Sequence, residues 1–169
     1  MYHAAEVNRV WDGVKGLATV TTHVLPHVTL DLVSWSSYDG MGSAASTWQG
    51  VEFIRQHMRP SPTFGRNAVY IGEIGKPENE AKEADLLEWW DRAMGVFFAM
   101  KIPWIVHWEL YCNEPRDGKK SDRRPRRAEE LRGFWLVRPD GSLSHAGKYL
   151  TTLLQHAGGR LPKGVLRQA

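Results

Sequence analysis

The stretch NAVYIGEI, residues 67–74, sets the expectations for the fold of this chain. Its apolar residues run almost without interruption, which is typical of a parallel strand covered by helices on both faces. Gly75 and Pro77 end it. Residues 78–100 then repeat apolar side chains every three to four positions and begin with acidic residues, the pattern of a helix. A strand followed by such a helix predicts a right-handed parallel β/α unit.

The same alternation continues on both sides of this unit. TLDLVSW, residues 29–35, and IPWIVHWEL, residues 102–110, are predicted to be two further strands. Helical patterns cover residues 17–25, 45–58 and 145–156. The sequence therefore predicts an α/β fold of about three parallel β/α units in a single domain that spans residues 1–169.

Composition narrows the class of protein. The chain has 169 residues, of which 42% are hydrophobic and 24% are charged, with a net charge of +3. The basic residues cluster in 116–132, a stretch without aromatic residues, which favours a solvated loop over a nucleic-acid surface. No apolar run is long enough to predict a membrane span. Cys112 is the only cysteine, so an internal disulfide is excluded.

Polar and aromatic residues gather where the predicted strands end, which is the side of a parallel β/α sheet that carries chemistry. Glu73 interrupts an apolar strand between Gly72 and Gly75, two glycines expected to leave space around it. Cleavage of a glycosidic bond typically uses two carboxyl groups, about 5–5.5 Å apart in retaining enzymes. A Tyr38 hydroxyl from the neighbouring strand is expected to orient Glu73, and Trp108 offers a flat surface for a sugar ring. A structural ion pair at Glu73 and plain packing of both rings are the alternatives.

Four segments carry a resemblance to a known family. They are DLVSWSSYD (31–39), VYIGEIG (69–75), PWIVHWELYCNE (103–114) and GFWLVRPDGSLSHAG (133–147). In this order they resemble the last three strand units of the clan A (β/α)8-barrel glycoside hydrolases and are similar to the cellulase and mannanase families. The resemblance covers roughly residues 28 to 155.

The resemblance implies a retaining glycosidase and a role for each matching residue. Glu73 corresponds to the nucleophile, Tyr38 to the aromatic residue that orients it, and Trp108 to the tryptophan under the bound sugar. Further contacts to the substrate are expected from Trp35, Glu109, Tyr111 and Asn113. The implied substrate is a β-linked glucan or mannan, with no cofactor and no metal, and the implied location is secreted or extracytoplasmic.

One part of the family pattern has no match. The acid/base glutamate of the clan follows an asparagine at the end of the fourth strand, and no strand before Thr29 is predicted. Asn113-Glu114-Pro115 matches those letters, but it follows the Glu73 strand, and too little chain remains for four more strands. We therefore expect these residues to lie in the loop after the last strand. The chain is expected to be a partial barrel, nearly inactive alone, that needs a missing N-terminal half-barrel or self-associates.

Two other functions remain open on the sequence. A non-catalytic carbohydrate-binding or scaffold remnant of the same fold would share these motifs. A small nucleotide-binding domain is suggested by residues 40–45, which fit G-x-G-x-x-A, but SWSSYD separates them from the strand and the expected acidic residue is missing. His23 and His27 have the spacing of two zinc ligands, without an evident third ligand.

Overall fold

The computed structural model describes residues 2–118 and 126–156. The described chain divides into two compact units. The first comprises residues 2–74 and 93–107, and the second comprises residues 75–92, 108–118 and 126–156. One long helix contributes residues to both units.

The first unit is built on a four-stranded, entirely parallel sheet in the order β1-β2-β3-β4. The strands are β1 (Ala4–Val7), β2 (Leu32–Ser36), β3 (Val69–Ile74) and β4 (Ile105–His107). The α/β class with parallel strands is therefore confirmed, and the expected number of three strands is corrected to four among the residues described. Strand β1 was missed because it is only four residues long and buries a single side chain well, that of Val7.

The helices of the first unit are α1 (Val10–Val14), α2 (Val20–His23), α3 (Ala44–His57) and the second half of α4 (Glu83–Ala99). Two of them, α2 and α3, begin at hydroxyl residues that cap them. Ser43 accepts a hydrogen bond from the Ser46 backbone N–H at the start of α3, and Thr19 caps α2 in the same way. These bonds satisfy N–H groups that a helix leaves without partners in its first turn.

Burial of one helix face against the sheet holds the first unit together. Helix α3 buries Thr47, Gly50, Val51 and Ile54, which recur at the spacing of one helical face. The indole of Trp35 lies against Gly50, where an added Cβ atom would approach a ring carbon to 2.5 Å. Trp35 is fully buried, so this face of β2 is the side of the sheet that α3 covers.

The second unit contains little regular structure. It holds the first half of α4 and helix α5 (His145–His156), joined by long loops. Within the basic stretch predicted to be a solvated loop, residues 119–125 lie outside the described residues, and Arg132 is engaged in ion pairs with Glu80 and Glu114. No helix in the described ranges is long and apolar enough to cross a membrane.

Candidate functional site

The first unit carries a group of polar residues on the side of the sheet opposite α3. Successive side chains of a strand point to opposite faces. Because Val33 and Trp35 of β2 pack into the core, Ser34 and Ser36 project from the other face. We call the residues grouped there the polar face, which consists of Glu6, Ser34, Ser36, Gly72 and Glu73.

Glu6 of β1 reaches across β2 on this face. It is in register with Ser34, and its Oε1 accepts a hydrogen bond of 2.6 Å from the Ser36 hydroxyl. Its other oxygen, Oε2, would lie 3.3 Å from a Cβ atom built on Gly72. Glu6 was not predicted as a site residue because strand β1 was not predicted. The only local signal for that strand is a single alternation of apolar and polar side chains within four residues.

The two glycines that flank Glu73 serve close packing. A Cβ atom at Gly72 would overlap the Ser34 hydroxyl, which therefore occupies the position that a side chain would take. In the second unit, a Cβ atom at Gly75 would overlap the main-chain carbonyl of Trp108. The expectation that both glycines leave open space around Glu73 is corrected, because neighbouring atoms fill the volume at each.

A β-bulge brings Glu73 to the polar face. Trp35 is in register with Ile71, yet the next residue, Ser36, is in register with Glu73, so β3 has one extra residue at this point. A bulge of this kind re-aims the side chains that follow it. Glu73 consequently lies beside Ser36 instead of on the side of Trp35, and its side chain is half-buried. The Ser37 hydroxyl donates a 3.1 Å hydrogen bond to the Glu73 carbonyl, which ties the two strand ends together.

Tyr38 lies in the 3-10 turn that follows β2, next to Ser37, and is 42% exposed. The Ser37 bond therefore sets this turn alongside the end of β3. Asp39 in the same turn accepts hydrogen bonds from the Trp35 indole at 3.2 Å and from the Trp11 backbone at 2.7 Å. These contacts hold the turn in place.

The prediction that Trp35 contacts a substrate is corrected by its position. Its side chain is 0% exposed and packs under α3 on the covered side of the sheet. A ligand on the polar face cannot reach it. The apolar alternation of β2 would have indicated this, since Trp35 shares its face with Val33.

The other four predicted site residues belong to the second unit. Trp108 is 37% exposed, and its indole N–H donates to the Glu114 carboxylate at 3.0 Å. Glu109 exchanges backbone hydrogen bonds with Phe134 and Leu136, so its main chain is fixed. The remaining two residues are exposed on the loop that follows, Tyr111 and Asn113.

Glu114 has a structural role in that loop. In addition to the Trp108 indole, its carboxylate binds Arg132 at 3.3 Å, and Arg132 also pairs with Glu80 at 2.7 Å. The hydrogen bond from Arg132 lowers the pKa of Glu80 below its usual value. The placement of Asn113-Glu114-Pro115 after the last strand is confirmed, because these residues follow β4.

A second group of charges surrounds Glu78, whose side chain is 12% exposed. It accepts hydrogen bonds from the guanidinium of Arg138 at 2.6 Å, from the Trp135 indole and from the His145 backbone N–H at 3.0 Å. Burial opposes ionisation, but these donors outweigh it and hold the pKa of Glu78 below its usual range. The Glu78 carboxylate therefore holds loops of the second unit together, and we assign it no role in ligand binding.

A cavity of about 260 Å³ lies in the second unit, between Glu83 and Leu87 of α4 and the face of α5 from His145 to Leu153. None of the residues predicted to form a site lines it. Over residues 2–118 and 126–156, no three His, Cys, Asp or Glu side chains are grouped to hold a metal ion.

Comparison with known proteins gave no match to a family model, to a curated protein or to a solved structure.

Proposed function

We propose that this chain is the C-terminal part of a retaining glycoside hydrolase of the (β/α)-barrel type, with Glu73 as the nucleophile. The substrate class is a β-linked glucan or mannan. The observation that carries the proposal is the β-bulge that sets Glu73 beside Ser36, at the carboxyl end of a parallel sheet. Bulges are frequent next to active sites, where they re-aim a side chain.

The topology of the sheet supports a barrel-type arrangement over a nucleotide-binding fold. Each strand lies next to the strand that follows it in sequence, in the order β1-β2-β3-β4. Successive neighbouring strands are the rule in (β/α) barrels. Doubly wound nucleotide-binding sheets reverse their strand order at the point where the ligand binds, and the four strands here have no such reversal.

The proposed chemistry uses Glu73 and the turn after β2. The Glu73 carboxylate attacks the anomeric carbon, a carbon–oxygen bond to the enzyme forms, and the bond to the leaving group breaks. Tyr38 orients the carboxylate from the neighbouring turn. The motif resemblance further supports contacts to the sugar from Trp108, Glu109, Tyr111 and Asn113. The proton donor of such a reaction is not assigned to a residue of this chain.

Covalent trapping tests the nucleophile without requiring that proton donor. Dinitrophenolate leaves without protonation, and a fluorine at C2 slows hydrolysis of the glycosyl-enzyme. We expect 2,4-dinitrophenyl 2-deoxy-2-fluoro-β-glucoside or β-mannoside to add one sugar to the full chain, mapped by mass spectrometry to the peptide that contains Glu73. Glu73→Gln should give no adduct, whereas Glu88→Gln, an exposed carboxylate of α4, should label normally.

The outcomes separate the proposal from its main alternative. An adduct on another residue, or none with either sugar, contradicts the assignment of Glu73. If the unlabelled chain and Glu73→Gln nevertheless bind cello- or manno-oligosaccharides equally, the chain is a non-catalytic carbohydrate-binding remnant of the same fold.

A further inference from the structure

We propose that Glu6 is a second ligand-binding carboxylate of the same site, which accepts hydrogen bonds from adjacent hydroxyl groups of a neutral sugar. This inference rests on the proposed function and extends it to a strand that the motif resemblance does not include. Glu6 lies on the polar face, and the Ser34 hydroxyl lies close to it.

Glu6 is both fixed and accessible. The Ser36 hydroxyl holds one of its oxygens at 2.6 Å, while the residue itself is exposed. The second oxygen lies near Gly72, where it would be 3.3 Å from a Cβ atom built on that residue. A carboxylate held at one oxygen and open at the other is preorganised to accept a hydrogen bond from a ligand.

Ser34 offers a second polar group beside Glu6. Its side chain is 5% exposed and directed at the backbone of Gly72, close to Glu6. Within residues 2–118 and 126–156, its hydroxyl makes no hydrogen bond to another group. Polar groups that are nearly buried are normally paired, so this hydroxyl is available to a ligand that lies on the polar face.

The geometry favours a neutral polyol over an anion. Neighbouring strands lie about 4.8 Å apart, and Glu73 is the register partner of Ser36, which binds Glu6. The carboxylates of Glu6 and Glu73 thus lie on the polar face with Ser36 between them. Hydroxyl groups donate readily to carboxylates, whereas a carboxylate on the ligand would be repelled by both. Sugars with two free adjacent hydroxyls fit this arrangement, and uronic acids do not.

Ligand titration with matched sugars tests the assignment. We expect the full chain to bind cellotetraose about tenfold more tightly than a β-1,4-linked tetraglucuronate, as measured by calorimetry. Glu6→Gln should raise the Kd for cellotetraose about tenfold and bring the two ligands closer together in affinity, because the charge is lost while the shape is kept. Ser36→Ala should raise the same Kd about threefold, since it frees Glu6 without removing it. Glu88→Gln is the matched control and should change neither value.

Each result bears on one of the two proposals. Unchanged affinities in Glu6→Gln, with normal labelling of Glu73, would overturn the role of Glu6 and leave the nucleophile intact. Binding that depends on Glu6 without labelling of Glu73 would support Glu6 and contradict the proposed reaction. Neither binding nor labelling would overturn both. Far-ultraviolet circular dichroism establishes that each variant is folded.

Discussion

The carboxylates of the polar face and those that join the loops of the second unit lie in different surroundings. In the first unit, Glu6 and Glu73 project from a regular parallel sheet whose backbone hydrogen bonds and apolar core already fix its shape. In the second unit, Glu78 and Glu80 bind arginines that come from distant parts of the chain, and these bonds hold loops together. The carboxylates of the sheet thus lie on a scaffold that is already fixed, whereas those of the irregular region contribute to its stability.

The largest expected effect comes from removing the central carboxylate of the second unit. Glu78→Gln deprives Arg138 of its charged partner and weakens two further hydrogen bonds, so we expect a loss of about 2–3 kcal/mol in the free energy of unfolding at pH 7. Because folding lowers the pKa of Glu78, this stabilisation is present at neutral pH. It is lost as the pH falls below about 4.3, the ordinary value for glutamate, and through the lowered value. Urea unfolding from pH 7 to pH 3 measures both effects.

The control for this experiment is Glu6→Gln in the first unit. We expect it to change the free energy of unfolding by about 1 kcal/mol or less, since it only weakens one hydrogen bond, from Ser36, at an exposed residue. If the two variants lose equal stability, or if the gap between wild type and Glu78→Gln is the same at pH 3 and pH 7, the contrast between the two units is wrong.

A smaller effect is expected from adding a methyl group at each of the two glycines beside Glu73. In Gly75→Ala the new Cβ atom meets the main-chain carbonyl of Trp108, which cannot rotate away. In Gly72→Ala it meets the Ser34 hydroxyl, which can turn about its own side-chain bond. We expect Gly75→Ala to destabilise by about 1–3 kcal/mol, the usual cost of overpacking, and Gly72→Ala by less. Thermal unfolding of both variants compares them, and a greater loss at Gly72 would contradict the packing described.

These contrasts also show how far the sequence could predict the structure. Helix α5 was predicted with the bounds that it has, and α3 to within one residue, because regular apolar periodicity and terminal residues define a helix locally. Strand β3 was found because its apolar residues run almost without interruption. Strand β1 was not found, since a short parallel strand gains its stability from the neighbour that it pairs with, and its four residues carry almost no pattern.

The candidate site divides in the same way. The position of Glu73 at a strand end could be predicted from one polar residue in an apolar run. The bulge that aims it toward Ser36 could not, because a bulge is a relation between the registers of two strands. The partners of Glu78 could not be predicted from the sequence either, since Arg138 lies 60 positions away in the chain and no local pattern links the two.

The smallest expected effect concerns the pair of helices in the second unit. The Tyr149 hydroxyl of α5 donates to the Asp91 carboxylate of α4 at 2.8 Å. Burial, and then this hydrogen bond, raise the pKa of Tyr149 well above its usual value. The folded state therefore favours the neutral phenol, and its contribution is intact below about pH 10, the ordinary value for tyrosine, and is lost as the pH rises further.

Tyr149→Phe should accordingly cost about 1 kcal/mol at pH 8, the net value of one hydrogen bond. The cost should shrink above pH 10, because the phenol of the unfolded wild type then ionises while that of the folded state stays neutral. Urea unfolding from pH 8 to pH 11 measures it, with Tyr111→Phe, at an exposed ring, as the control that should show no such convergence. Wild type and Tyr149→Phe losing stability in parallel above pH 10 would mean that the helices are joined chiefly by apolar packing, such as the stacked rings of Trp90 and Tyr149 at 6.2 Å. Ionic and polar bonds would then be the main source of stability only in the loops of the second unit. The difference between the two units would be limited to those loops.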